Sequence, residues 1–337
     1  MNTLKIADIY PNRLVVSLGS GTSSSIIDDL KIITKIGAIA EIRLDLLPKI
    51  NIENIINNSK CELIITNRSI KHGGAFDGHI DDQLKPLLKA IEHDVSYIDI
   101  DPEIIPEVIN IKNTKTKIIV SYHNFTKTPG NLEDLQKNLI ENTGYIAKIA
   151  TMPNSHLDNI SILNLIKNSQ NSTIAIAMGN LGLISRIICL KYPMCLMTYT
   201  HMENIKSVAP GQISINIMRD TYRANSINQN TRIILMFSKN SIENNIITKL
   251  NTSPKTIENN CLFVPVMNVN KTSEIISHYI HSNLDLNDFY LLDEMNLSSS
   301  SIEGVKSSSD IFNYVKFRNN TILASSINDP SEIINGH

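Results

Sequence analysis

The sequence predicts an α/β protein, a (β/α)8 TIM barrel over residues 1–225 followed by a smaller α/β domain over residues 226–337. Short apolar runs of strand length alternate with longer amphipathic stretches through the first part of the chain, and strands that alternate with helices call for a parallel sheet. Eight such units fit a closed barrel. No G-x-G-x-x-G fingerprint follows the first strand, which weighs against the alternative, an open doubly wound sheet.

The strands are read at "RLVVSL" (13–18), "AIAEIRLDL" (38–46), "ELIITN" (62–67), "VSYIDI" (95–100), "KIIVSYH" (117–123), "YIAKIA" (145–150), "TIAIAM" (173–178) and "CLMTY" (195–199). Helices are expected between and after them at 23–36, 51–58, 79–93, 103–112, 131–141, 155–168, 182–191 and 213–224. Beyond about residue 225 Ser and Asn become dense, as in "NLSSSSIEGVKSSSD" (296–310), yet strand-like runs persist at 232–237, 261–267 and 313–317. These define the second domain.

Bulk composition narrows the function. In 337 residues, 42% are hydrophobic and 19% charged, enough apolar surface for a sizeable core. A net charge of −2 gives no reason to expect nucleic acid or an anionic membrane as partner. No apolar run reaches the length of a membrane span, and "MNTLKIADIYPNR" has no signal-peptide core, so a cytoplasmic protein is expected. Cys61, Cys189, Cys195 and Cys261 are scattered and form no metal-type pair.

Catalytic groups of such a barrel sit at the C-terminal ends of its strands, with inward and outward side chains alternating. Glu41, Arg43 and Asp45 are two apart and so share a face. Ser17, Arg68, Asp99, Asp101, Ser121 and His123 also fall near strand ends. A single strand histidine is ordinarily a hydrogen-bonded structural residue, and Glu41 with Arg43 reads equally well as a buried ion pair. Lys148, inside the apolar run "GYIAKIATMP", is harder to explain structurally, because lysine is seldom buried unless paired. A desolvated lysine loses charge, and a neutral amine attacks carbonyls to give an iminium that acidifies the neighbouring carbon. A nearby histidine then moves protons, and arginines hold a carboxylate. The set suits a small hydroxylated keto acid and an elimination, with no metal and no cofactor.

Five motifs in order, "EIRLDLL" (41–47), "SYHNFTKTP" (121–129), "KIATMP" (148–153), "MGNLGLISR" (178–186) and "APGQ" (209–212), resemble type I 3-dehydroquinate dehydratase over about residues 10–222. The resemblance implies a (β/α)8 barrel that converts 3-dehydroquinate to 3-dehydroshikimate in the shikimate pathway, often as a homodimer. It implies Lys148 as the imine-forming amine and His123 as general base and acid. It places Arg186 and Gln212 on the carboxylate, Glu41, Arg43 and Arg68 on the ring hydroxyls, Ser17 at the mouth, and Met178 beside the imine. Two positions depart from the pattern. His72 stands where the family has a glutamate that orients the catalytic histidine, with Asp99 or Asp101 as candidate substitutes. Val208 stands where a serine or threonine contacts the carboxylate, and Ser207 comes one place early.

Residues 232–329 resemble a degenerate substrate-binding lobe of shikimate dehydrogenase, which in some organisms is fused to the dehydratase. Asn313 keeps that lobe's first asparagine, while Ser326 and Asn328 stand at its second asparagine and its aspartate. No counterpart of its lysine occurs in 289–301 and no nucleotide-binding domain follows, so no dehydrogenase activity is expected. Two other functions stay open on the residues alone: another Schiff-base barrel lyase or aldolase, and a catalytically weakened barrel that serves as a scaffold. Removal of residues 226–337 is expected to leave activity intact if the barrel folds alone.

Overall fold

The protein is described from a computed structural model that covers residues 13–109, 111, 114–141, 143–203, 205, 207–292, 297–298, 305–307, 311–318, 321–327 and 329–335. The eight expected strands form one parallel sheet: β1 Leu14–Leu18, β2 Ile39–Arg43, β3 Leu63–Thr66, β4 Tyr97–Ile100, β5 Lys117–Asn124, β6 Ile146–Thr151, β7 Thr173–Ala177 and β8 Thr198–Thr200. Each strand pairs with its sequence neighbour, and β8 returns to β1. Between β7 and β8 the ladder shrinks to the bridge Thr173–Cys195, which nearly closes the barrel. The helices are α1 Ser23–Ile36, α2 Ile52–Asn58, α3 Ile80–Glu92, α4 Ile105–Val108, α5 Leu132–Ile140, α6 Asp158–Asn168 and α7 Leu183–Ile188. The eighth expected helix is a short helical segment built on a π-turn, Ile217–Thr221.

The expectation that β2 runs on to residue 46 is corrected. The strand ends at Arg43 and Leu44–Leu46 coil into a 3₁₀ turn. The cause is local: the Arg43 guanidinium grips the Asp45 carboxylate through two bonds of 2.9 and 2.7 Å, and the same carboxylate accepts from the Ala75 amide. Asp45 therefore folds back and leaves the strand face.

The period-2 alternation of the strands separates two cores. Outward residues such as Val16, Ala40, Ile65, Ile98, Val120 and Ile149 pack beneath the helices. Inward residues Val15, Ile39, Ile64, Tyr97, Ile119 and Ile174 form an apolar plug inside the barrel. Two residues further along, the next inward layer turns polar in β1 to β5, with Ser17, Glu41, Thr66, Asp99 and Ser121, while Ile176 of β7 stays apolar. Register sets Lys148 opposite Ser121 in that layer, and His123 opposite Ala150 one layer higher. The floor of the barrel is thus hydrocarbon and its C-terminal mouth is charged.

The second, smaller sheet comprises β9 Arg232–Phe237, β10 Cys261–Val266, β11 Asp288–Leu291, β13 Val305–Ser307, β15 Tyr314–Arg318 and β16 Thr321–Ser325, in the order β10-β9-β11-β15-β16-β13. β12 Leu297–Ser298 and β14 Ile311–Phe312 make a separate pair. Helices α8 Asn244–Asn251, α9 Pro254–Glu258 and α10 Thr272–Ile280 accompany the sheet. Its buried residues continue the barrel's outer core without a break. β10 packs on α7, Tyr192 Oη donates to Leu284 O at 2.8 Å, and Lys191 Nζ donates to Gln229 O and Thr231 O at 2.8 Å each. Among the described residues no helix is long and apolar enough to cross a membrane.

Candidate active site

The polar layer opens into a cavity of about 150 Å³ at the C-terminal mouth. Glu41, Arg43, Arg68, His72, His123, Lys148, Met178, Arg186 and Gln212 all line it, as the strand-end rule expects. Two glycine-bearing loops bring the far wall together. Gly211, at φ +70°, lies so close to Gly179 that a Cβ there would sit 2.2 Å from its carbonyl oxygen, so only glycine lets the Gln212 loop reach the β7–α7 loop.

Lys148 is buried but not surrounded by hydrocarbon, which corrects the expectation of a purely apolar setting. Its Nζ lies 2.7 Å from Asp99 Oδ2 and 3.5 Å from Glu41 Oε1, and 4.0 Å above the Tyr199 ring centroid. Asp99 is the hub. Its Oδ1 accepts from Arg68 Nη2 and from Ser121 Oγ, each at 2.5 Å. Burial would raise the Asp99 carboxyl, but Arg68 and Lys148 beside it hold it well below the usual carboxylate range. Burial would lower Arg68, yet Asp99 and Asp101 raise it, so the guanidinium stays charged.

Asp101 accepts from Arg68 Nη1 at 2.5 Å and from Gln83 Nε2 at 2.6 Å. Neither aspartate turns to His123, whose buried Nδ1 has no hydrogen-bond partner among the described residues. The expectation that Asp99 or Asp101 orients that imidazole is therefore not met: Asp99 is taken by Arg68, Lys148 and the Ser121 hydroxyl, and Asp101 by Arg68, the Gln83 amide and the Ser69 N–H. His123 instead stacks on Phe125, with ring centroids 5.9 Å apart and planes 8° apart. Burial lowers His123 well below 6.5, with Arg68 and Lys148 acting the same way. The imidazole is held neutral, the form a base needs.

Ser17 is not at the mouth. It is fully buried behind Glu41, to which its Oγ donates at 2.7 Å, while Thr66 Oγ1 donates to the other carboxylate oxygen at 3.0 Å. Glu41 does not pair with Arg43, since Arg43 is taken by Asp45. Gln212 Nε2 reaches Ser17 Oγ at 3.4 Å, and its Oε1 accepts from Ser207 Oγ at 3.0 Å.

Arg186 projects from α7 and is fully buried. Its nitrogens donate only to Pro210 O at 2.9 Å and Tyr199 O at 3.5 Å, and its Nε has no partner among the described residues. No described carboxylate lies within ion-pair distance, and burial pushes the group down to about 10. A buried guanidinium without a counter-charge is costly unless an anion completes it.

A family model described as type I 3-dehydroquinase matches residues 14–229, well over half of the chain. The chain belongs to that family. The 3-dehydroquinate dehydratase of Methanococcus maripaludis strain C5 is 36% identical over 204 residues, which cover 58% of this chain and 92% of that one. The crystal structure of the Aquifex aeolicus VF5 3-dehydroquinate dehydratase is 27% identical with a TM-score of 0.51, over 61% of this chain and 95% of that one. The S. pombe protein described as dehydroquinate dehydratase and shikimate dehydrogenase shares the fold over 93% of this chain and 64% of its own, at 18% identity and a TM-score of 0.53.

The two positions at which the sequence was expected to depart from the family pattern, His72 and Val208, both line the cavity. His72 Nε2 lies 2.7 Å from Glu103 Oε2, so a carboxylate stands behind this imidazole at the cavity wall. Val208 lines the cavity with a methyl, and Ser207 turns its hydroxyl to Gln212 instead. Sequence reasoning missed Tyr199, Thr66 and Glu103. Tyr199 was legible in principle, because it is the last residue of the expected eighth strand and faces inward beside Val15 of β1.

Proposed function

We propose that this type I 3-dehydroquinase dehydrates 3-dehydroquinate to 3-dehydroshikimate through an imine on Lys148, with His123 as the proton carrier. The reading is carried by one observation: a buried amine, a neutral imidazole and a guanidinium lacking a carboxylate all line one cavity.

Arg186, with Gln212 beside it, takes the substrate carboxylate and turns the ketone toward Lys148. Glu41, Arg43 and Arg68 meet the ring hydroxyls, and Met178 packs beside the imine. The Lys148 nitrogen adds to the carbonyl carbon, and the carbonyl oxygen leaves as water with two protons, so an ammonium and a ketone become an iminium and water. His123 removes the proton on the neighbouring carbon, and that electron pair neutralises the iminium as an enamine. The enamine expels the β-hydroxyl, which takes the proton from His123 and departs as a second water. Water then hydrolyses the conjugated iminium and restores the ammonium. The sum is loss of one water from the substrate.

For residues 226–337 we propose a degenerate relative of the shikimate dehydrogenase substrate lobe. The likeness in fold to the two-enzyme S. pombe chain supports this. Asn313 is used within the fold: its side chain bonds Ile327 O at 2.7 Å and Ile327 N at 2.8 Å. Asn328 lies outside the described residues.

The test is borohydride reduction in the presence of 3-dehydroquinate, followed by mass spectrometry. A reduced adduct on Lys148, with dehydroshikimate absorbance rising in the untreated enzyme, is the expected result. An adduct elsewhere, or none, rejects the mechanism.

A further inference from the structure

We infer that Tyr199 is a catalytic residue, its ring face being the partner that holds the nitrogen of Lys148 through every cationic form of the reaction. The inference rests on the imine reading of Lys148. The Nζ lies 4.0 Å from the Tyr199 ring centroid, well inside the range of a cation–π contact, and both groups are buried. The other neighbours of that nitrogen, Asp99 Oδ2 and Glu41 Oε1, are carboxylate oxygens at 2.7 and 3.5 Å. They depend on N–H bonds. An ammonium has three, and an iminium has one, so hydrogen bonding to the carboxylates weakens as the imine forms. The ring needs no N–H. Its quadrupole attracts the positive charge of ammonium and iminium alike, and does so best where water is excluded. Lys148, Glu41 and Tyr199 all line the cavity, so the ketone meets the nitrogen beside the ring.

The hydroxyl is not what the placement uses. Tyr199 Oη is buried and has no hydrogen-bond partner among the described residues, and burial raises the phenol well above 10, so it stays protonated. The backbone of the same residue serves the other end of the substrate, through the Tyr199 carbonyl that accepts from Arg186. Substitution of the side chain leaves that contact in place.

The experiment is a series at position 199 in the full chain: Tyr199→Phe, Tyr199→pentafluorophenylalanine and Tyr199→Leu. The pentafluoro ring keeps size and shape but reverses the ring's quadrupole. The readout is the rate of borohydride-trapped adduct on Lys148 at saturating 3-dehydroquinate, together with KM. The trapping rate is expected to be highest in Phe and lower in Leu, which has no ring face, and to be lowest in pentafluorophenylalanine, whose face repels the cation. A drop of about 3- to 30-fold from Phe to pentafluorophenylalanine corresponds to the usual strength of such contacts. KM is expected to move much less, because Arg186 and Gln212 still hold the carboxylate. Equal rates for Phe and pentafluorophenylalanine would show that ring shape alone matters and overturn the inference. A Phe variant as slow as Leu would assign the effect to the hydroxyl and overturn it equally. The wild-type adduct separates this test from the parent reading: its absence rejects the imine itself, while its presence with a flat series rejects only the ring.

Discussion

The Asp99 carboxylate joins the Lys148 amine at 2.7 Å through one oxygen and the Arg68 guanidinium at 2.5 Å through the other. One buried anion thus positions both the reacting nitrogen and a cation of the substrate wall. Asp99→Ala takes the nearest anion from Lys148, leaving it Glu41 at 3.5 Å, and one of two anions from Arg68, and breaking a buried pair costs about 3–5 kcal/mol. Urea titration is expected to show that loss, and dehydroshikimate absorbance an enzyme almost without turnover. The pH dependence has a defined sign. A carboxyl depressed in the folded state contributes stability in full above its unfolded value and loses it as pH falls below about 3.8 toward the folded value. In that acid window the wild type should lose stability more steeply than Asp99→Asn.

His123 shifts in the same direction as Asp99 but acts in a higher pH window, and it is the neutral form that the fold favours. Its folded value lies well below 6.5, mainly through burial, so the base remains neutral as the solution passes through pH 6.5. The acid limb of kcat/KM is expected well below 6.5. The unfolded chain takes up a proton near 6.5 that the folded chain refuses, so this residue makes stability fall as pH drops below 6.5. His123→Gln should remove that stability slope and abolish turnover. A wild-type profile that bends at 6.5 would show that another group, or an exposed imidazole, is the base.

Arg186 should trade stability against function. It is buried with two backbone carbonyls and no described carboxylate, so the fold bears its desolvation until an anion arrives. Arg186→Met is expected to keep or raise the melting temperature while raising KM by on the order of 100-fold, the scale of a lost buried charge contact. Small carboxylates should raise the wild-type melting temperature and leave that of Arg186→Met unchanged. A destabilised Met variant would mean that the guanidinium is structural.

Much of this site was legible because strand alternation is a local signal. Lys148 interrupts an apolar run, and Glu41, Thr66 and Asp99 lie on the inward face of their strands, so period alone directs them into the barrel. What the sequence could not carry is pairing across strands. Glu41 with Arg43 reads as an ion pair, yet Arg43 turns to Asp45 just past the strand end, while Glu41 takes two hydroxyls from neighbouring strands. Asp99 lies between Arg68 and Lys148 only through the register of β3 to β6, set by residues far apart in sequence. Glu103 reaches His72 from the next loop, a distance of 31 residues along the chain. The setting of Lys148 was misjudged for the same reason: its own strand is apolar, and its carboxylates come from β2 and β4.

The second sheet changes the outcome expected for truncation. From Ile184 to Ile188 every residue of α7 is buried, including positions that an ordinary barrel helix would show to water. A helix buried on all sides needs cover on all sides. β7 and β8 cover one side and β10 another, and three hydrogen bonds from Lys191 and Tyr192 continue the junction just beyond the helix. His156, at the head of α6, adds a bond of 2.9 Å to Met267 O. Residues 1–225 alone would expose this apolar seam beside Arg186, and patches of that kind drive association. The fragment is expected to be insoluble or to bind a hydrophobic dye, and co-expression with residues 226–337 should restore soluble activity. A milder probe is Tyr192→Phe, which keeps the ring and removes one buried bond worth about 1 kcal/mol. A soluble 1–225 fragment with wild-type kcat and KM would show that the barrel stands by itself and that the second domain is a passenger.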